Sequence, residues 1–533
     1  MAAAVVLIML CALGEIFGGD IPNNSNNESR QSINFEVYPD SVKWKISDYL
    51  VGMHSVYCND GDSLYERSNF TNWMRIADVG TMRYPGGGVV KYWDWENPTG
   101  VMQGDPFNPD WDNSKNTVSK DWTSLDEYLE MVKISGITPL LGVNITSGYR
   151  YGKVDESIAR AVRMVEYVKS KGFGGAFWYL GNEGKNGGWE NEAHLFVQHV
   201  KAMKKVDPDI KCMFNHNNMT KKYLRQYLKI AGDYADIVET HGKWPYGGNP
   251  KEYEPGTFNE WQIERPLRDR KNHNRAWRTE ADSLRKWARE LGYPGLKFAN
   301  NEYGTGKKSN LIGFDRYTTS LLMIDMLQEH FIGNWYMTCY WYWVSNRKDD
   351  KDALIAFNHS MRYNPMRYGF ELLAKAQGGN MLQMLDENNP STYGFAVEKD
   401  GEYLLYLINK SNHEKVANVF IDKGSNLEIV ESKSLVNTLD EFGELVSTNV
   451  DSIQENHIPI TLPPLSYSRF IFKESSDITP SASVKGLSEL NIKLYPTSTT
   501  GADVYQWLQS QICRNLQAHE TKTMRNIGLS ESA

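Results

Sequence analysis

From about residue 48 to 370 the chain alternates short apolar runs with stretches whose apolar residues recur every three or four positions. The runs fall at 50–55, 81–85, 138–144, 177–183, 210–215, 237–241, 296–302 and 339–344. They are strand-length and apolar on both alternating sets of positions, the pattern of strands covered on both faces. Helical spacing occupies 68–79, 125–135, 156–171, 190–206, 279–291 and 314–332, and is clearest at Leu125, Tyr128, Leu129 and Val132. Buried strands interleaved with helices predict an α/β fold, a (β/α)8 TIM barrel over 48–374, with a long βα insertion over 242–296.

After about residue 375 the apolar period drops to two, at 393–397, 403–409, 416–421, 427–431, 458–462 and 467–472, with turns such as Lys399-Asp400-Gly401 between the runs. This predicts an all-β sandwich domain over 375–473. Residues 20–47 read as a leader into the barrel, and the polar, Ser/Thr-rich 474–533 as a linker and a tail with no assignment. The apolar run from Ala2 to Leu13 in 1–19 resembles a secretory signal, although no Lys or Arg precedes it, so a secreted or cell-surface protein is expected. No segment offers the roughly 18 uninterrupted apolar residues of a membrane span, and no membrane partner is expected.

A net charge of −8 argues against a nucleic-acid partner, whose phosphates require a basic face. The 16 Trp and 30 Tyr supply stacking surfaces for flat, weakly polar ligands such as sugars. The cysteines lack metal-ligand spacing, and Cys212 and Cys339 sit in predicted strands, where free core thiols are expected. No metal or cofactor is called for, and a monomer is expected.

In a (β/α)8 barrel the C-terminal strand ends meet at one face, where chemistry is built. Here those ends carry His54, Arg83, Asn144, Asn182-Glu183, Asn215-His216, Glu239 with His241, Asn301-Glu302, and Trp341 with Trp343. Glu183 and Glu302 each follow an Asn at the close of an apolar run, on predicted strands four and seven, across the mouth from one another. Either alone could be a loop contact. Two carboxylates facing one cleft are what glycoside hydrolysis needs: a proton donor and an ionised group, with a spacing near 5 Å for a retaining mechanism. Arg83 is placed to keep one of them ionised. His241 could hydrogen-bond the nucleophile, and Asn182 a sugar hydroxyl. Glu239 shares the strand face of His241, as a modulating third carboxylate or as a buried, paired one. His54 and Asn144 complete the polar rim, with Trp244, Trp341 and Trp343 as candidate sugar platforms.

Three motifs carry a family resemblance: R-Y-P-G-G-G-V-V-K-Y-W-D-W-E-N-P-T-G at 83–100, W-Y-L-G-N-E at 178–183 and N-N-E-Y-G at 300–304. They resemble glycoside hydrolase family 86, the β-agarases and β-porphyranases, within the large clan of retaining glycosidases on (β/α)8 barrels. The resemblance covers roughly 35–475. It implies Glu183 as acid/base and Glu302 as nucleophile, in an endo-acting enzyme that cleaves β-1,4 galactosidic bonds of a red-algal galactan without a metal. A same-clan enzyme acting on xylan, mannan or an arabinose-bearing chain is the alternative, with a non-catalytic polysaccharide-binding protein behind it.

Overall fold

Strand β1 (Ser32–Lys45) opens the region described by a computed structural model, which covers residues 32–475 except 57–67, 97–122, 185, 217–219, 243–276, 305–314, 345–354, 357–361, 388, 390, 423–426, 449 and 451–456. The signal-like segment 1–19 and the tail beyond 475 lie outside the described residues.

Eight parallel strands follow: β2 (Gly52–His54), β3 (Thr81–Tyr84), β4 (Thr138–Val143), β5 (Phe177–Leu180), β6 (Lys211–His216), β7 (Ile237–Thr240), β8 (Lys297–Tyr303) and β9 (Met337–Tyr340). They close into a barrel in sequence order. Leu140, Phe177, Tyr179, Met213, Ile237, Ala299, Met337 and Cys339 form one cluster inside it. Their sequence neighbours Leu141, Trp178, Leu180, Phe214, Val238 and Phe298 belong to the outer core against the helices. Burial on both faces is why each strand reads as a continuous apolar run.

The helices are α1 (Ser68–Ile76), α2 (Leu125–Ser135), α3 (Thr146–Arg150), α4 (Val154–Ser170), α5 (Trp189–Val206), α6 (Lys221–Ala231), α7 (Trp277–Glu290), α8 (Arg316–Ile332) and α9 (Met366–Leu373). Helix α2 begins with a capping box in which the Ser124 side chain accepts from Glu127 N–H while Glu127 reaches back to the Ser124 backbone. Helix α6 is absent from the sequence-based set, although Leu224, Tyr227, Leu228 and Ala231 bury one face at helical spacing. The short helices α3 and α9 also went unanticipated.

After the pair β10 (Ile355–Ala356) and β11 (Arg362–Tyr363), the C-terminal strands are β12 (Asn380–Asp386), β13 (Thr392–Lys399), β14 (Glu402–Asn409), β15 (Lys415–Ile421), β16 (Leu427–Val436), β17 (Glu444–Ser447), β18 (Ile458–Leu462) and β19 (Ser466–Glu474). Together with β1 they form one nine-stranded sheet in the order β17-β16-β19-β14-β13-β12-β1-β15-β18. The sheet curls over its own core, where Phe35, Leu405, Leu407, Val419, Ile460 and Phe470 meet. The leader expected over 20–47 is corrected in part: 32–45 pairs antiparallel with β12 and parallel with β15. Period two explains it, since Ile33, Phe35 and Val37 bury in that core while Ser32, Asn34 and Glu36 face out.

The opposite face of the sheet, with Leu404, Tyr406 and Ile408 on β14, joins the barrel-side core. Helix α8 lies there and is buried along its length from Arg316 to Phe331, with Phe331 stacked on Phe395 at 5.7 Å between ring centroids. Cys212 and Cys339 are buried free thiols. Among the described residues no helix is long and apolar enough to cross a membrane.

Candidate active site at the barrel mouth

Arg83, at the end of β3, is the hub of the site. It is fully buried, with its guanidinium carbon 4.0 Å from the centre of the Tyr179 ring. Nη1 donates to Glu302 Oε1 at 2.7 Å and to His54 Nε2 at 2.6 Å. Nη2 donates to Asn182 Oδ1 at 2.9 Å and lies 3.0 Å from Glu239 Oε1. Residues from the ends of β2, β3, β5, β7 and β8 thus converge on one cation.

Glu302 reaches the mouth through an irregularity in β8. Ala299 points into the barrel, so strict alternation would send Asn301 and Tyr303 inward and Glu302 out. The register with β9 shifts between Asn300 and Tyr303, which returns Tyr303 to the outer core and leaves Glu302 on Arg83. Burial alone would raise the Glu302 carboxyl, but the charge of His241 and contacts with His54 and Arg83 hold it well below the ordinary carboxylate range.

Glu183 arrives by a turn. After β5 the chain passes Gly181 at φ +70°, a region that glycine enters freely, and reaches Glu183 itself at φ +53°. Asn215, from β6, holds this conformation: its Oδ1 accepts the Glu183 N–H and its amide donates to the Gly181 carbonyl. The Glu183 side chain is 31% exposed, against 5% for Glu302, so one carboxylate faces the cleft and the other its wall.

Between them stands His241. Its Nδ1 lies 3.1 Å from Glu183 Oε1 and 3.5 Å from Glu302 Oε2, and its Nε2 lies 2.8 Å from Glu239 Oε1. Oxygens of Glu183 and Glu302 and a ring nitrogen of His241 all fall within 4.8 Å of one another. A cation would suit that spacing, but the imidazole set between the carboxylates already supplies positive charge there. Burial opposes a charged ring, yet Glu302, Glu183 and Glu239 outweigh it and raise His241 to about 9. His54 is the opposite case: burial pulls it down to about 4, and its Nε2 accepts from Arg83.

The structure therefore brings Arg83, Asn182, Glu183, Glu239, His241, Glu302 and His54 together. Asn144, expected on the same rim, is engaged elsewhere. Its Oδ1 accepts from Ser147 N–H and its amide donates to Ser147 Oγ and the Trp93 carbonyl, so it pins the turn into α3. Trp343 is corrected as a platform: it is fully buried and packs edge-on against Phe70 at 6.0 Å. Trp341 keeps a partly exposed ring, and Trp244 lies outside the described residues. Among residues whose roles sequence reasoning missed, Asn215 was visible as a polar strand end. Gly87 was not: a Cβ there would fall 2.5 Å from Glu302 Oε1, a close approach no sequence pattern encodes.

Two solved structures cover 83% of this chain: a family 51 arabinofuranosidase from Xanthomonas axonopodis pv. citri (TM-score 0.61, 17% identity, 100% of that chain) and an α-L-arabinofuranosidase from Thermotoga maritima in complex with arabinose (TM-score 0.62, 16% identity, 99% of that chain). The fold is that of the family 51 arabinofuranosidases. A family 44 xyloglucanase from Paenibacillus polymyxa shares it at TM-score 0.56, with 15% identity over 84% of this chain and 100% of that one. By sequence, an intracellular exo-α-(1→5)-L-arabinofuranosidase of Streptomyces lividans is 25% identical over 208 residues, 34% of this chain and 31% of that enzyme. No family model matches the chain. These neighbours share the barrel of the expected glycosidase clan but point away from family 86. The expectation of a secreted protein is overturned as well, because the matching curated relative is an intracellular enzyme.

Proposed function

We propose that the protein is a retaining glycoside hydrolase that cleaves α-L-arabinofuranosidic bonds, with Glu302 as nucleophile and Glu183 as acid/base. The observation that carries the mechanism is the pair of carboxylates at the barrel mouth, set within 4.8 Å of each other, with Glu302 held ionised by Arg83 and His241. Oxygens of the two groups that approach this closely favour double displacement over the wider separation that an inverting enzyme needs to seat a water. In the first step Glu302 attacks the anomeric carbon while the Glu183 proton passes to the departing oxygen. In the second, Glu183 takes a proton from water, whose oxygen displaces the Glu302 carboxylate. Asn182, held by Arg83, is positioned for a sugar hydroxyl beside the reacting carbon.

The arabinofuranoside reading draws its support from the Streptomyces relative and from the shared fold of family 51. Cleavage of β-1,4 galactosidic bonds in agarose or porphyran rests on the family 86 motif likeness alone and is the weaker reading. The test sets 4-nitrophenyl α-L-arabinofuranoside and arabinan beside agarose, porphyran, xylan and mannan, with the product anomer followed by proton NMR. Release of arabinose with retained configuration is expected. Activity confined to the galactans would replace the arabinofuranoside reading, and an inverted first product would remove the double-displacement mechanism.

A further inference from the structure

Both ring nitrogens of His241 face carboxylate oxygens, Nδ1 towards Glu183 and Glu302 and Nε2 towards Glu239. A neutral imidazole has one bare lone pair, which in this setting would point at an anion. Only the doubly protonated ring donates in both directions, and His54 shows the contrast, since its Nε2 faces a guanidinium donor. Glu239 makes the difference. It is fully buried, and its Oε1 takes both Arg83 Nη2 at 3.0 Å and His241 Nε2 at 2.8 Å. With no surface open to the cleft, it acts on the chemistry through His241 and Arg83, the groups it bonds.

During double displacement one negative charge moves. Glu302 is ionised and Glu183 protonated before the first step; in the glycosyl-enzyme Glu302 is an uncharged ester and Glu183 carries the charge. His241 Nδ1 is 3.5 Å from one and 3.1 Å from the other, so one N–H can attend whichever is ionised. We propose that Glu239 is a positioning residue for the double displacement, anchored by Arg83 and holding His241 Nε2–H, which keeps the imidazole cationic and its Nδ1–H aimed at the charge as it passes from Glu302 to Glu183. This rests on the retaining-glycosidase reading above. Besides the carboxylates, the described titratable groups facing the cluster are His54 from β2, Arg83 from β3, Tyr179 from β5 and Cys339 from β9. Burial pushes Tyr179 and Cys339 up and His54 down, so all three are neutral where the enzyme would work.

Glu239→Gln and His241→Gln test the assignment through the pH profile of kcat/KM on an aryl α-L-arabinofuranoside. Removing the Glu239 charge weakens proton binding at His241, so the cation, and with it the alkaline limb, is lost at a pH lower by about one unit. Removing the His241 cation strengthens proton binding at Glu183, so in His241→Gln the same limb moves to higher pH by about one unit. Opposite shifts from two partners in one hydrogen bond are the expected result; a packing role would lower activity at every pH alike. An unmoved limb in both variants, or shifts in one direction, overturns the inference while leaving the function reading in place. A wild-type chain inactive on every glycoside tried overturns both. Should either variant fail to fold, imidazole nitrogen chemical shifts of the wild-type protein decide the matter. A His241 ring protonated up to about pH 9 supports the assignment, and one that titrates below pH 6.5 overturns it.

Discussion

Asn215 grips both sides of the turn that carries Glu183, accepting the Glu183 N–H at 2.5 Å and donating to the Gly181 carbonyl at 2.9 Å. A non-glycine residue at φ +53° costs on the order of 1–2 kcal/mol, and these two bonds hold it there. Asn215→Ala is expected to cost about 1–3 kcal/mol of stability through the orphaned N–H. It should also lower kcat by roughly 100-fold through misplacement of Glu183. Urea unfolding and steady-state kinetics on the arylglycoside read the two effects, and an unchanged kcat would sink the positioning role.

Gly87 permits the close approach of Glu302. A Cβ at this position would sit 2.5 Å from Glu302 Oε1, the oxygen that takes the Arg83 Nη1 bond. Gly87→Ala should push the carboxylate off Arg83 and reduce kcat/KM by roughly 100-fold, with the cooperative thermal transition retained. Activity near that of the wild type would show that the wall yields.

The two glutamates should fail differently. Glu302→Gln is expected to abolish turnover of every substrate. Glu183→Ala should recover its first step when the leaving group needs no proton, and azide should then trap a glycosyl azide of retained configuration. Absence of rescue by 2,4-dinitrophenolate as leaving group would count against an acid role for Glu183.

Stability should fall on both sides of neutrality. His54, His199 and His330 are fully buried and lowered to about 4, 4 and 3, chiefly by burial. They are neutral when folded but protonate near 6.5 when unfolded, so their contribution is complete above about pH 6.5 and is lost as the pH falls towards 4 and 3. Glu302, held low, adds to this loss at still lower pH. His241, raised to about 9, contributes fully below about pH 6.5 and loses that contribution as the pH climbs through 9. Melting temperatures across pH 4 to 10 should pass through a maximum near pH 6.5, falling on the acid side through the three buried histidines and on the alkaline side, towards pH 9, through His241. A monotonic rise into the alkaline range would contradict the His241 assignment.

Where α8 meets the sheet, Lys410 Nζ pairs with Asp325 Oδ2 at 3.0 Å and donates to Tyr393 Oη at 2.9 Å, with Lys410 and Asp325 both fully buried. Burial pulls the Lys410 ammonium down, and Asp325 opposes it. Asp325→Ala leaves that charge without its partner and should destabilise the protein by about 3–5 kcal/mol. The double change Asp325→Leu with Lys410→Met should cost distinctly less, because neither charge of the pair is left behind without the other. Equal losses in chemical denaturation would refute the pairing.

The barrel was legible because a strand buried on both faces has no choice but to read as an apolar run, and its polar endings mark the mouth. Period two placed Glu239 and His241 on one face with Ile237, and all three do point inward. The same arithmetic hid Asn144, since an Asn at a strand end serves a turn as readily as a site. Helix α6 does carry a helical pattern, at Leu224, Tyr227, Leu228 and Ala231, whereas the partners of β1 lie some 350 residues away in sequence, a distance no local pattern spans.

Residue identity alone decided that two glutamates, an arginine and two histidines would be available at strand ends. Their roles were settled by geometry. An irregular register in β8 turns Glu302 to the cleft, a left-handed residue braced by Asn215 turns Glu183 towards it, and a missing Cβ at Gly87 lets the wall close. The two histidines take opposite charge states because burial prevails at His54, where Glu302 is offset by Arg83, while three carboxylates outweigh it at His241. Such placements depend on atoms brought together across the barrel within a few ångströms, where electrostatic energy varies steeply with distance, and sequence spacing carries no record of them.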